Sequence, residues 1–178
     1  NNAGVADFGQ FADRPQDDLV GMVDLNIRAL LALTRTLVPG MVARQNGGIL
    51  NVASVAGFQP TPGYAVYGAT KAFVLSLSES LAEELRQYNI KVTAMCPGLV
   101  DTPLVDKVAA HNSAAAAVPA QVLLDVNKVA AEGYNAFKAG EVVVVNGLAY
   151  KAMTNFTRYN PRWLVRRAMG LANRVAGL

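Results

Sequence analysis

Tyr67 and Lys71 stand four residues apart in the run Tyr67-Gly68-Ala69-Thr70-Lys71. On a helix that spacing puts both side chains on one face, with about 5–6 Å between their Cβ atoms. A phenol with a pKa of about 10 is a poor acid–base catalyst at neutral pH. An adjacent ammonium favours the phenolate and draws that pKa toward the working range. Ser54 lies 13 residues earlier, at the end of a short apolar run. It reads either as a loop-capping serine or as a hydroxyl reaching the ground that Tyr67 faces. Asn26 falls within a helical pattern, a place where its amide competes with the backbone. It reads as a buried kink holding a water or as a solvent-facing polar residue. Pro97-Gly98-Leu99-Val100-Asp101-Thr102 follows a second apolar run. Its backbone groups and hydroxyl could grip a flat amide-bearing ring, and its bland reading is a turn.

The elements that must position these groups are legible in outline. Asp13 and Pro15 read as a helix start, with Asp17 and Asp18 suited to the positive end of the dipole. Apolar residues from Leu19 to Met41 then recur near helical spacing. Ile49–Ala53 and Ile90–Cys96 read as strands buried on both faces, and Tyr64–Tyr88 as a long helix between them. Val122–Lys138 reads as a further helix, and Glu141–Val145 as a third strand. Ala109–Pro119 is a small-residue stretch expected to be a loop or short helix. Strands alternating with helices predict a parallel α/β sheet.

Composition narrows the function classes. The chain has 178 residues, 52% hydrophobic and 16% charged, with a mean hydropathy of +0.24. That balance excludes disorder, and no apolar run reaches the roughly 18 residues of a membrane span. A lone Cys96 and a lone His111 exclude an internal disulfide and a Cys/His metal cluster. The reading is a cytoplasmic globular domain with no metal. Cys96 is expected to be a small buried hydrophobe, and His111 a solvated loop residue.

Taken together, Asn1-Asn2-Ala3-Gly4, Asn26, Ser54, Tyr67-x-x-x-Lys71 and Pro97-Gly98-x-x-x-Thr102 resemble the short-chain dehydrogenase/reductase family in its single-domain branch. The order matches, as does the spacing: 24 residues from Asn2 to Asn26, 28 to Ser54, 13 to Tyr67 and 4 to Lys71. The likeness covers residues 1 to about 147. It implies a Rossmann-like doubly wound parallel sheet with helices on both faces, of which this chain carries the C-terminal part. It also implies an NAD(P)-dependent oxidoreductase moving a hydride between nicotinamide cofactor and a carbonyl or secondary alcohol. Tyr67 would be the acid/base and Lys71 its modulator and a partner of the ribose hydroxyls. Ser54 would polarise the substrate carbonyl, and Asn26 would hold a water in a proton relay from Lys71. Asn2, Ala3, Gly4, Pro97, Gly98, Val100 and Thr102 would join Tyr67 and Lys71 around the cofactor. Val55, Ala56, Gly57, Phe58, Pro60 and Tyr64 would line a mostly apolar substrate pocket.

The family's glycine-rich strand–turn–helix, which holds a pyrophosphate, is not present. The chain therefore reads as beginning in mid-fold, the NAD-versus-NADP preference is unreadable, and the chain alone is expected not to turn over substrate. Competing readings are a non-catalytic fragment or scaffold and, with less in its favour, a nucleotide-sugar epimerase. Residues 1–150 are expected to form the catalytic part and 151–178 a basic helical tail. That tail holds six cations and no acid, leaving residues 1–150 at −3. Leu164, Ala168, Leu171, Ala172 and Val175 are expected to be its apolar stripe. The tail reads as a solvated basic helix, with an anionic-membrane or acidic-partner contact as the alternative; nucleic acid is disfavoured. Pairing of the helices at 15–44 and 64–88 into a homodimer or homotetramer is the expected assembly.

Overall fold

The computed structural model describes residues 1–103 and 123–175. His111 and the stretch 109–119 lie outside the described residues. Helix α1 (Gln16–Val23) runs through a π-helical segment, Asp24–Ala29, into α2 (Leu30–Ala43). Pro15 itself occupies the cap position, with Asp17 and Asp18 in the first turn, and Asp13 belongs to a preceding single 3₁₀ turn. Strand β1 (Gly47–Val52) leads through a 3₁₀ turn, Val55–Phe58, to α3 (Ala65–Arg86) and β2 (Ile90–Cys96). After α4 (Val126–Ala139), closed by Gly140, come β3 (Val143–Val145), α5 (Leu148–Tyr159) and α6 (Arg162–Val175).

The three strands are parallel in the order β1-β2-β3. Alternation along β2 explains the layers. Val92, Ala94 and Cys96 face the core clusters shared with α2 and α3. Met95 points the other way, against Gly133 of α4. Helices therefore cover both faces, as expected. The N-terminal residues add to the free edge of β1: the Asn1 amine donates to Leu50 O at 2.7 Å, and Val52 N donates to Asn1 O at 2.9 Å.

A buried polar thread ties these layers together across Asn51. Its amide donates to Ser78 Oγ on α3 at 2.9 Å, while Asn1 Nδ2 donates to Asn51 Oδ1 at 2.7 Å. Asn51 and Ser78 are both fully buried, so each must be hydrogen-bonded or cost about 1–3 kcal/mol.

Helix α5 begins at Leu148, so the first helix of the expected C-terminal helical stretch reaches back a few residues before position 151. In α6, Leu164, Ala168, Leu171 and Ala172 are exposed, and Val165 is the buried side chain. The reason is tertiary packing: α6 sits with Asn173 against Gly63, eight residues on from Val165, so these two mark the side turned inward.

Candidate active site

Strand β1 ends where its chain must turn into α3, and Ser54 stands at that turn. Its hydroxyl accepts from Ala56 N at 3.1 Å, capping the 3₁₀ turn. The loop-capping reading is thus what the hydrogen bonds show, and the same hydroxyl is near enough to Tyr67 to hold the phenol's pKa down in part. Gly57 lets this turn approach α3 closely: a Cβ there would stand 2.8 Å from the Lys71 carbonyl oxygen. A larger residue would push the turn, and Ser54 with it, away from the helix that carries Tyr67.

Lys71 is 8% exposed. Its ammonium donates to Val52 O at 2.8 Å and lies 5.7 Å from the Tyr67 ring centroid. Burial holds its pKa down at about 8. Tyr67 behaves differently from the expectation that the ammonium draws it down. Burial raises its pKa, the Ser54 hydrogen bond offsets part of that, and neighbouring Tyr64 adds to the rise. The geometry gives the reason: Lys71 spends its charge on the Val52 carbonyl and on the ring face rather than on the phenol oxygen.

Asn26 sits in the π-helical segment and is 2% exposed, which decides for a buried kink over a solvent-facing residue. Its side chain accepts from Val5 N at 2.9 Å and donates to Val5 O at 2.9 Å and to Thr70 Oγ1 at 3.1 Å. Oδ1 and Nδ2 thus both bond protein groups, and the amide staples the segment after Gly4 to α3 one residue before Lys71. The residues expected around a cofactor converge here as well. A Cβ on Gly4 would lie 3.2 Å from Asn26 Oδ1 and 3.7 Å from Lys71 Nζ. Asn2 and Ala3 precede it along the edge that Asn1 anchors.

The Pro97–Thr102 loop is fixed from two sides. Val100 pairs with Leu124 in a parallel bridge, and Thr102 Oγ1 donates to Val100 O at 3.2 Å. On the other side Leu99 N donates to Tyr150 Oη at 3.1 Å, and the Tyr150 ring lies against Gly98. Tyr150 was missed in the sequence because the helical stretch was placed from residue 151 on; the amphipathic pattern of α5, with Thr154 and Thr157 buried, was the available signal.

The expected substrate wall divides. Ala56 is buried and Phe58 packs against the core cluster, because the 3₁₀ turn directs both inward onto α3. Val55, Pro60 and Tyr64 are half-buried and remain available. Phe8, unmarked in the sequence, joins them. Its ring centroid is 5.0 Å from that of Tyr64 and 6.3 Å from that of Tyr67. Gly9 N donates to Gly63 O at 2.7 Å, holding the Phe8 segment over the start of α3. Among the described residues there is no group of side chains that could hold a metal ion. No helix among them is long and apolar enough to cross a membrane. Cys96 is buried, as expected, and burial pushes its thiol up to about 12.

Residues 1–113 match the sequence profile of the family described as short chain dehydrogenase. The chain belongs to the short-chain dehydrogenase family. It is 40% identical over 114 residues to Oxidoreductase UcpA of Escherichia coli strain K12, covering 64% of this chain and 43% of that protein. It is 30% identical over 159 residues to the 3-oxoacyl-[acyl-carrier-protein] reductase FabG of Thermotoga maritima, covering 83% of this chain and 63% of that one. A short-chain dehydrogenase from Sphingobium yanoikuyae, solved in complex with NADPH, superposes with a TM-score of 0.75 at 29% identity. That superposition covers 88% of this chain and 60% of the other. The chain thus spans less than two thirds of the length of each of these relatives. Its fold is the family's parallel sheet with helices on both faces.

Proposed function

We propose that this chain carries the acid–base half of an NAD(P)-dependent oxidoreductase acting on a carbonyl or secondary alcohol. The observation that supports this most is the convergence of Ser54, Tyr67 and Lys71 from β1 and α3, with Asn26 fastened to the same helix. The residues fit the nicotinamide end of such a cofactor. Gly4, lacking a side chain beside Asn26 and Lys71, leaves a cradle that any Cβ would narrow. Asn2, Ala3, Gly4, Lys71 and the loop from Pro97 through Gly98 and Val100 to Thr102 would hold it, and the bound cofactor supplies the hydride.

The work of the protein's own groups follows from their environment. Tyr67, kept protonated by burial, donates its phenolic proton to the carbonyl oxygen in reduction and recovers it in oxidation. Ser54 donates to the same oxygen as charge develops on it. Lys71, with a pKa of about 8, is charged at neutral pH yet able to exchange its proton near there. It is the group next to Tyr67 through which a proton is replenished. Asn26 is proposed to hold a water of that relay, for which its Oδ1 keeps an acceptor site beside the one that Val5 N uses. The pocket beside Tyr67, made of Phe8, Val55, Pro60 and Tyr64, favours an apolar or aromatic substrate over a charged sugar acid.

Removing the Tyr67 hydroxyl is the test. In the protein carrying this chain, Tyr67→Phe should lower turnover by a factor on the order of 100 to 10,000. Cofactor affinity should change little, since the ring remains. Turnover close to wild type at saturating substrate refutes the assignment. The assembly proposed is self-pairing through the helices at 15–44 and 64–88, that is α1 with α2 and α3. Leu31, Leu33 and Leu37 are 44%, 50% and 49% exposed, an unusual concentration for a solvent-facing helix. In α3, Val74 and Leu75 are buried in this chain's own core and Phe73 is half-buried against it.

A further inference from the structure

A groove lies where α6 meets the Pro62–Gly63 loop. Arg166, Arg167 and Arg174, with Pro62, Gly170 and Leu171, enclose about 510 Å³. Residues 167, 170, 171 and 174 follow the i, i+3, i+4, i+7 spacing of one helix face. Gly170 stands at the centre of that face, with open space where its side chain would be. Arg167 and Arg174 lie two turns apart, roughly 10 Å along the axis, within reach of one anion seated over Gly170. The Arg167 guanidinium lies over the Trp163 ring, its Cζ 5.7 Å from the centroid, which steadies the head of the side chain.

None of the three guanidinium groups makes an ion pair with a carboxylate among the described residues. Like charges on one helix face repel, and Arg162 and Arg166, four apart, add to this. The helix is nevertheless held in place, with Val165 buried and Asn173 seated against Gly63. A like-charged cluster held on a fixed scaffold favours an anion seated among its members. Guanidinium forks suit tetrahedral oxyanions, and three of them match the three acceptor oxygens of a phosphate monoester. Leu171 in the groove and Leu164 one face over, 64% and 36% exposed, offer apolar cover to whatever the phosphate is attached to.

We propose that the Arg166–Arg167–Arg174 groove binds a phosphate group, presented either by a soluble phosphate ester or by the headgroup of an anionic lipid. The test has two arms on the same protein. One titrates glycerol 3-phosphate by calorimetry. The other sediments the protein with phosphatidylcholine vesicles, with and without phosphatidic acid. Saturable binding in either arm is expected, weakened on the order of tenfold by Arg166→Gln or Arg174→Gln. Gly170→Asp, which puts a carboxylate into open space at the groove's centre, should have the same effect. Arg162→Gln, outside the groove, should change binding by less than about twofold. Binding confined to glycerol 3-phosphate assigns a soluble ester, and binding confined to phosphatidic acid vesicles assigns a lipid headgroup. Absence of binding in both arms overturns the proposal. So does binding that survives the triple Arg166→Gln, Arg167→Gln, Arg174→Gln variant, or that Arg162→Gln weakens equally.

Discussion

Replacing Gly98 by alanine should destabilise the protein for a reason that lies in Tyr150. Gly98 is not among the glycines held at positive φ, so alanine suits its backbone. On backbone grounds alone, Gly98→Ala would stabilise by about 0.4–1 kcal/mol through a less flexible unfolded chain. The structure reverses that sign. A Cβ at position 98 would enter the van der Waals envelope of the Tyr150 ring. The ring must then move, and its hydroxyl leaves Leu99 N, now 3.1 Å away. Overpacking of this kind, together with one lost hydrogen bond, costs about 2–4 kcal/mol. The consequence for function is a displaced Pro97–Thr102 loop and weaker cofactor binding. Urea unfolding of four proteins isolates the effect: wild type, Gly98→Ala, Tyr150→Ala and the double variant. Tyr150→Ala removes the obstacle, so the double variant should be more stable than the two single effects predict, by about 1 kcal/mol or more. Tyr150→Phe, which keeps the ring and loses the hydroxyl, should cost about 1 kcal/mol. A neutral or stabilising Gly98→Ala, or strict additivity in the double variant, refutes the reasoning.

Lys71 is a buried charge whose pKa falls from 10.5 to about 8, a penalty of about 3 kcal/mol at neutral pH. Lys71→Met should therefore raise the thermal midpoint by several degrees while abolishing turnover, the gain reduced by the unpaired Val52 carbonyl. The wild type should gain stability between about pH 8 and 9, where the folded chain has released the Lys71 proton that the unfolded chain still binds; above that, Cys96, whose thiol stays protonated only in the folded chain, offsets the gain. A flat profile there, read by urea midpoints, counts against a buried Lys71. Cys96, its thiol pushed up to about 12, should resist iodoacetamide in the native protein at pH 8 and react fully in denaturant; fast native labelling would place it at the surface instead. Leu33→Glu with Leu37→Glu should shift the protein toward monomer in light scattering without lowering the thermal midpoint, since both side chains are about half exposed.

Local chemistry was enough to reveal β1, α3 and β2, because their signals are local: an apolar run ending in Ser54, a long amphipathic stretch, then Ile90–Cys96 stopped by Pro97. The same locality made Ser54, Tyr67 and Lys71 legible, since two of them share one helix face and the third ends the neighbouring strand. Asn26 was legible as an oddity, a polar residue in a helical pattern, and the π-helical segment explains why it is tolerated there. Contacts between distant segments were beyond that reading. Phe8 reaches Tyr67, and Tyr150 reaches Gly98, only after the sheet has brought together residues more than 50 positions apart. The pKa of Tyr67 also escaped it, because four-residue spacing puts Lys71 nearby but burial and the competing Val52 carbonyl decide where the charge is spent. In α6 the apolar pattern was real, but hydrophobicity alone does not choose which side of a helix is covered. That choice was made by tertiary packing, which seats Asn173 against Gly63 and buries Val165 while Leu164 and Leu171 stay exposed.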